Sequence, residues 1–210
     1  MIPVIRWMSV SSANNSGIDM AASAEVLEDR LLHQGRFRLT RTRVAVVETD
    51  GMRREIDHEV YRYGPAAAIL LYDPQRRTVL LVKQFRLGAF LADGDSALLE
   101  VCAGMLDGDT PPVCAVREAM EETGLRVREA RHVFDVFASP GGTTEKIACF
   151  VAAYGPGDRL GFGGGVDADE HIEIMEMPLA EALRMIDSGE IRDAKTLALL
   201  LYAEAKGLIA

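Results

Sequence analysis

The chain has 210 residues, of which 49% are apolar and 26% charged, and a formal net charge of −9. That length and balance suit one folded α/β domain with added structure, and exclude a disordered or fibrous chain. The acidic balance repels polyphosphate chains and argues against a nucleic-acid partner. A small anionic substrate stays open, because a bound cation inverts the local field of an acidic site.

Residues 1 to about 20 read as a disordered tail, since Ser11 to Gly17 is poor material for packing, with Met20 as an alternative start. Ala21 to Gln34 predicts a short helix ended by Gly35, so residues 1–35 read as a tail with a short helix. Phe37 to Val47 alternates as a strand. Thr49-Asp50-Gly51 is a hairpin turn, and Arg53 to Tyr61 returns as the second strand. Residues 36–62 therefore form an N-terminal hairpin. It is too polar to stand alone, so it packs on the main domain or on a second subunit.

Residues 63–210 read as the main domain. Ala66 to Tyr72 and Thr78 to Arg86 form a hairpin through Asp73-Pro74-Gln75, and a loop with Gly88, Asp93, Gly94 and Asp95 follows. Leu98 to Ala103 is a third core strand leading into Gly104 to Asp109. A helix runs from Thr110, as N-cap before two prolines, to about Thr123, where Gly124 ends it. Val113, Val116 and Met120 are its expected buried stripe. Strands follow near Val127–Val136, Lys146–Tyr154 and His171–Met177, with Gly155–Gly165 read as a mobile loop. Pro178–Ser188 and Lys195–Ala205 carry apolar residues at helical spacing, broken by Gly189. Strands with helices outside predict an α/β/α sandwich around a mixed sheet, preceded by the β-hairpin extension.

The three cysteines, Cys102, Cys114 and Cys149, contain no C-x-x-C pair. They read as buried thiols in a reducing, cytoplasmic setting, with neither a disulfide framework nor a zinc site expected. No apolar stretch is long enough to span a bilayer, and no signal peptide is expected.

The chemistry concentrates on Arg117-Glu118-Ala119-Met120-Glu121-Glu122. Glu118 and Glu122 are four apart and share a helical face, and Glu121 is three from Glu118. Like charges at that spacing weaken a helix unless solvent or a cation offsets them, and carboxylate oxygens are the ligands that Mg²⁺ prefers. A solvated acidic face is the ordinary meaning of such a run. Here the run follows a strand, a Gly-containing loop and a capped helix start, and Glu-Glu-Thr-Gly closes the helix.

The stretch Gly104 to Leu125, GMLDGDTPPVCAVREAMEETGL, resembles the Nudix box, whose REAMEETGL half it matches at every fixed position. Two departures stand out: the interval between Gly104 and Arg117 is one residue short, and Thr110 occupies the place of the first box glutamate. The segments VCAGMLDGD, SPGGTTEKI, GGGVDADEHIEI and EIRDAKTLALLLY resemble the GDP-mannose hydrolases, a branch close to the ADP-ribose pyrophosphatases. This resemblance runs from about Phe37 to the C-terminus.

The resemblance implies a Mg²⁺-dependent hydrolase, with Mn²⁺ as alternative metal, that cuts GDP-mannose to GMP and mannose 1-phosphate. The alternatives are ADP-ribose as substrate, giving AMP and ribose 5-phosphate, and a Nudix-fold module that binds nucleotide sugars without cutting them. It implies metal ligation by Glu118, Glu122, Glu170 and the Ala103 carbonyl, with Gly104 beside the substrate. Glu118, Glu122 and Glu170 are the implied catalytic residues, Glu122 as ligand and Glu170 as ligand or base, with a carboxylate accepting the proton of the attacking water. Arg86 is implied to grip a phosphate, and Asp57, His58, Glu59, Glu145 and Lys195 to contact the nucleotide sugar. Arg36 stands where the family has an aromatic residue. A homodimer through the N-terminal hairpin is implied as well.

Overall fold

A computed structural model describes residues 23–94, 97–165 and 171–209. The tail read over residues 1 to about 20 lies outside them, and so does Glu170. The chain divides into two compact units, Met1–Tyr63 with Ser139–Thr144, and Gly64–Ala138 with Glu145–Ala210.

In the first unit the expected hairpin forms, as β2 (Arg38–Val47) antiparallel to β3 (Arg53–Arg62). Gly51 supplies the positive φ of its turn, at 85°. The helix expected over Ala21–Gln34 is instead a strand, β1 (Ser23–Gln34), paired antiparallel to β2 along its length. Local helix propensity amounts to a few tenths of a kcal/mol per residue, and a full ladder with a polar seam outweighs it. In that seam the Thr42 hydroxyl donates to Asp29 Oδ1 at 2.6 Å, and Arg62 donates to Asp29 at 2.9 Å and to Thr40 at 3.0 Å. Thr40 and Thr42 are both buried.

The second unit is built on a seven-stranded mixed sheet. Its path is β10 (Ile172–Pro178), β5 (Thr78–Phe85), β4 (Ala66–Asp73), β9 (Lys146–Ala153) and β8 (Arg131–Phe137), with β6 (Ala97–Glu100) on β5 and β7 (Cys102–Met105) on β4. Among the described strands of this sheet, only β4 and β9 run parallel. Alternate residues of β4 serve two cores. Ala66, Ala68 and Leu70 face α3 (Leu179–Asp187) and α4 (Ala194–Ala205), while Ala67, Ile69 and Leu71 face α2 (Pro111–Thr123). Both faces are covered, so the expected α/β/α layering holds, and β4 carries an almost unbroken apolar run.

Two local expectations change. The loop expected after Arg86 contains a short helix, α1 (Leu87–Asp93), closed by Gly94 at φ 79°. The apolar run from Leu98 to Ala103 is two strands broken at Val101. β4 and β5 stay paired only from Leu71↔Leu80 to Asp73↔Thr78. Beyond that they splay, and β6 pairs with β5 (Val82↔Glu100) while β7 pairs with β4 (Ile69↔Cys102). Val101 crosses the gap, and the Thr196 hydroxyl accepts its N–H at 2.9 Å. A crossing residue loses its ladder partner, and this side chain supplies one.

Candidate active site

The splay of the sheet inserts Glu100, Cys102, Ala103 and Gly104 between β4 and β5, and α2 lies over this point. The stripe expected on α2 is corrected. Val113 is exposed, Val116 and Met120 are half-buried, and the buried face is Cys114, Ala115, Ala119, Glu122 and Thr123. Small side chains let the helix sit close to the sheet, which rotates the branched residues to the rim. The same rotation buries Glu122, at 4% exposure, and leaves Glu118 with a side chain only 12% exposed.

Glu118 and Glu122 thus lie on the sheet side of the helix. A Cβ on Gly104 would fall 1.9 Å from Glu118 Oε1, so glycine is what lets that carboxylate reach the β7 backbone. Arg117 donates to Glu118 at 2.8 Å, to Glu121 at 3.0 Å, to Asp109 at 3.0 Å and to the Met105 carbonyl at 3.1 Å. Asp109 therefore pairs with Arg117 beside Thr110, the residue that departs from the box. Burial pushes the Cys102 thiol well above its usual range, and the charges of Glu122 and Glu118 add to that. Cys114 is pushed up to about 11, by burial first and then by Glu118. All three cysteines are free and buried, as expected.

A second cluster adjoins this one. Glu100, 2% exposed, accepts from Arg86 Nε at 2.6 Å and Nη2 at 3.0 Å, and also from Lys195 Nζ. Lys195 donates further to Asp193 at 2.9 Å, and Asp193 caps α4 by accepting from Thr196 N at 3.0 Å. Burial alone would push Glu100 up, but the Arg86 hydrogen bonds and the Lys195 charge outweigh it and hold the carboxyl below its ordinary range. Burial likewise disfavours the Lys195 ammonium, and Glu100 and Asp193 outweigh that and hold it above its ordinary range. Glu145 is raised by burial, with Lys195 and Arg86 opposing and Asp193 reinforcing. The charge of Glu122 is felt at Arg86, which links the two clusters.

The structure therefore groups Ala103, Gly104, Glu118 and Glu122, and beside them Arg86, Glu145 and Lys195. Asp57, His58 and Glu59 lie on exposed β3 in the first unit, where Arg41 holds Asp57 through contacts of 2.9 and 3.0 Å. Arg36 lies 5.5 Å from the Phe37 ring centroid. Among the described residues no three His, Cys, Asp or Glu side chains gather as a metal cluster; Glu170 lies outside those residues. The reading of residue types missed Glu100, Asp109 and the tie of Arg117. A lone acid in the apolar run LLEVCAG was the signal for Glu100.

The segment read as a mobile loop is tied to the end of α2. Leu160 N donates to the Gly124 carbonyl at 2.8 Å, Gly164 N to that of Glu122 at 2.8 Å, and Gly165 N to that of Glu121 at 3.1 Å. A helix end leaves such carbonyls without intrahelical partners, and this segment supplies them. Gly124 and Gly163 have positive φ, 69° and 66°, and a Cβ on either would meet backbone at 2.3 or 2.4 Å.

A family profile described as NUDIX domain matches residues 62–200. A relative named GDP-mannose pyrophosphatase in Cronobacter sakazakii is 42% identical over 191 residues, 90% of this chain and 100% of the relative. One of the same name in Klebsiella pneumoniae is also 42% identical over 191 residues, 90% of this chain and 96% of the relative. A solved structure titled as an ADP compounds hydrolase superposes with a TM-score of 0.66 at 18% identity, covering 88% of this chain and 96% of its own. That likeness concerns the fold. The profile covers the whole sheet, both carboxylates of α2 and the Arg86–Glu100–Lys195 cluster, and with relatives of this identity along nearly the full length, the chain belongs to the NUDIX domain family.

Proposed function

We propose that this chain hydrolyses the diphosphate bridge of a nucleotide sugar, GDP-mannose, to GMP and mannose 1-phosphate. The observation that carries the reading is that the largely buried carboxylates Glu118 and Glu122 stand beside two cations, Arg86 and Lys195, both held by Glu100 at one break in the sheet. The names of the 42%-identical relatives support the choice of substrate.

The donor set fits Mg²⁺. Glu118, which lies against the Gly104 backbone where only a glycine leaves it room, and Glu122, which is felt at Cys102, offer hard oxygen ligands at a place where burying like charges costs energy. Glu118, Glu122, the Ala103 carbonyl and Glu170 would hold the ion, with Mn²⁺ as a substitute. When bound, the metal supplies charge neutralisation at the diphosphate oxygens and a more acidic water.

The chain's own residues do the rest. Arg86 and Lys195 orient the diphosphate with N–H donors not spent on Glu100 and Asp193. Glu170 accepts the proton of the attacking water, which needs a base within hydrogen-bond reach. Gly104 leaves room for Glu118 and borders the substrate, and Asp57, His58, Glu59 and Glu145 contact the nucleotide sugar. The protein acts as a cytoplasmic homodimer through its N-terminal hairpin. The buried free thiols support a reducing compartment, and no helix among the described residues is long and apolar enough to cross a membrane.

The test is a substrate panel of GDP-mannose, GDP-glucose, ADP-ribose and NADH with Mg²⁺, with released phosphate read after phosphatase coupling. GDP-mannose is expected to give the highest kcat/KM. A tenfold preference for ADP-ribose moves the specificity to the adenine branch, and no turnover of any member overturns the reading.

A further inference from the structure

We infer that Glu100 is a positioning residue that sets Arg86 and Lys195 at the distance a diphosphate requires. The inference rests on the reading of these two cations as the phosphate grip. Glu100 touches no substrate in that reading and acts only through them.

The geometry is specific. One carboxylate, 2% exposed, takes a two-pronged contact from Arg86 on both oxygens, at 2.6 and 3.0 Å, and the Lys195 ammonium on Oε2. A two-pronged contact fixes the plane of a guanidinium, whereas a single contact fixes only a distance. Lys195 is tied a second time, to Asp193 at 2.9 Å. Asp193 is itself fixed by Thr196 N and Oγ1, at 3.0 and 2.6 Å. Both cations are thus held against backbone that the splayed strands place. Arg86 follows the last residue of β5, Glu100 ends β6, and Thr196 receives the crossing Val101 N–H.

The placement also solves an electrostatic problem. Two cations side by side repel, and burial adds a cost for each. A carboxylate between them removes the repulsion without consuming all their N–H donors. Neutralising Glu100 makes the local charge more positive, which favours a phosphate at long range. It also frees Arg86 to swing away from Lys195. The Arg86 side chain is 39% exposed, so solvent screens the first effect, and the loss of alignment dominates.

The experiment compares the full-length protein with Glu100→Gln and Glu100→Asp. Calorimetry measures inorganic pyrophosphate binding at fixed Mg²⁺, and steady-state kinetics with GDP-mannose separates KM from kcat. Glu100→Gln is expected to weaken pyrophosphate at least tenfold and to raise KM by a similar factor, with kcat changed less than threefold. Glu100→Asp keeps the charge but shortens the reach, and is expected to fall between. A purely structural role predicts the opposite split, since a smaller folded fraction lowers apparent kcat and leaves KM unchanged. If Glu100→Gln does not fold, Glu100→Asp decides, and pyrophosphate affinity within twofold of the native protein in that variant overturns the inference. Absence of pyrophosphate binding by the native protein overturns it too. Native binding that depends on Glu100, in a protein that leaves GDP-mannose intact, sinks the proposed substrate and sustains this inference.

Discussion

At Glu122 the needs of folding and of the proposed metal binding conflict. A buried carboxylate one turn from Glu118 destabilises α2, by a few tenths of a kcal/mol for the exposed like-charge pair and more once both are taken from water. A cation bound between them reverses that sign. Mg²⁺ at about a hundred times its Kd stabilises the folded state by roughly 2.7 kcal/mol. For a chain of this size that is a rise in Tm of about 5–10 °C. Glu122→Gln is expected to unfold no earlier than the native protein in EDTA, to lose most of the Mg²⁺-dependent rise, and to lose at least a hundredfold in kcat. Calorimetric scans with and without Mg²⁺ check the first two, and a variant with the full Mg²⁺ shift removes Glu122 from the ligand set.

The pH dependence of the neighbouring cluster follows from the directions of its shifts. Glu100 lies below its ordinary 4.5, so its stabilisation is present above that value and is lost as pH falls through the depressed one. Lys195 lies above 10.5, so its contribution is complete below that value and is lost as pH rises through the raised one. Glu145 behaves oppositely to Glu100. Burial holds it above 4.5, so ionisation near neutral pH weakens the fold, and protonation relieves this as pH falls. Glu145→Gln is therefore expected to have a higher urea midpoint than the native protein at pH 7, and no advantage below pH 4.5. A midpoint lower than native at pH 7 reverses the sign assigned to its burial.

At the scale of elements, α2 is held at its C-terminal end by backbone geometry. At its C-terminal end the segment from Leu160 to Gly165 binds the carbonyls of Glu121, Glu122 and Gly124. Gly163 combines φ 66° with a Cβ position 2.4 Å from the Glu122 carbonyl oxygen. Gly163→Ala is expected to cost about 1–3 kcal/mol, from the left-handed strain and the forced retreat of the segment. Because the displaced carbonyl belongs to Glu122, kcat should fall along with Tm. Gly164, also at positive φ but with open space where a Cβ would stand, is the control. Its alanine variant should show the strain cost alone and keep kcat per folded molecule. Equal kcat losses in both variants would detach the segment from the carboxylates.

The elements also show what the residues alone disclosed. The hairpin, the β4–β5 pair and α2 with its Gly124 stop were legible because alternation, turn residues and capping act within a few residues of each other. The strand β1 was not, because AEVLEDRLLHQ is good helix material and only the ladder to β2 makes it a strand. The buried face of α2 was misplaced because hydrophobicity favours Val113 and Met120, whereas close contact with the sheet favours Ala115 and Ala119. The carboxylates of the candidate site were legible from spacing and resemblance. Glu100 was legible only as a lone acid in the apolar run LLEVCAG, because its partners are brought to it by the splay of two strands, which a one-dimensional pattern does not carry.

At the scale of the whole molecule, the first unit poses a question of assembly. It is a three-stranded antiparallel sheet with β1 outermost, and such a small sheet buries little apolar surface by itself. Among the described residues, the outer edge of β1 meets no partner strand over its 12 residues. Edge strands of that length invite pairing unless charge or a bulge blocks them. β1 has two register shifts, at Val26/Glu28 and Leu31/His33, and between them it carries Glu28, Asp29 and Arg30. Open edge-to-edge stacking is thereby discouraged. Leu31 and Leu32 nevertheless stay exposed, at 52% and 37%. A closed contact with a second copy covers such residues, whereas the charges beside them oppose indefinite growth. The expected solution species is a dimer of about twice 22.9 kDa at micromolar concentration, measured by light scattering. The double substitution of Leu31 and Leu32 by lysine is expected to halve that mass and to leave the Mg²⁺-dependent rise in Tm in place, since the proposed ligands Glu118 and Glu122 belong to the other unit. A native mass of 22.9 kDa refutes the dimer, and a dimer indifferent to the lysines moves its interface away from β1.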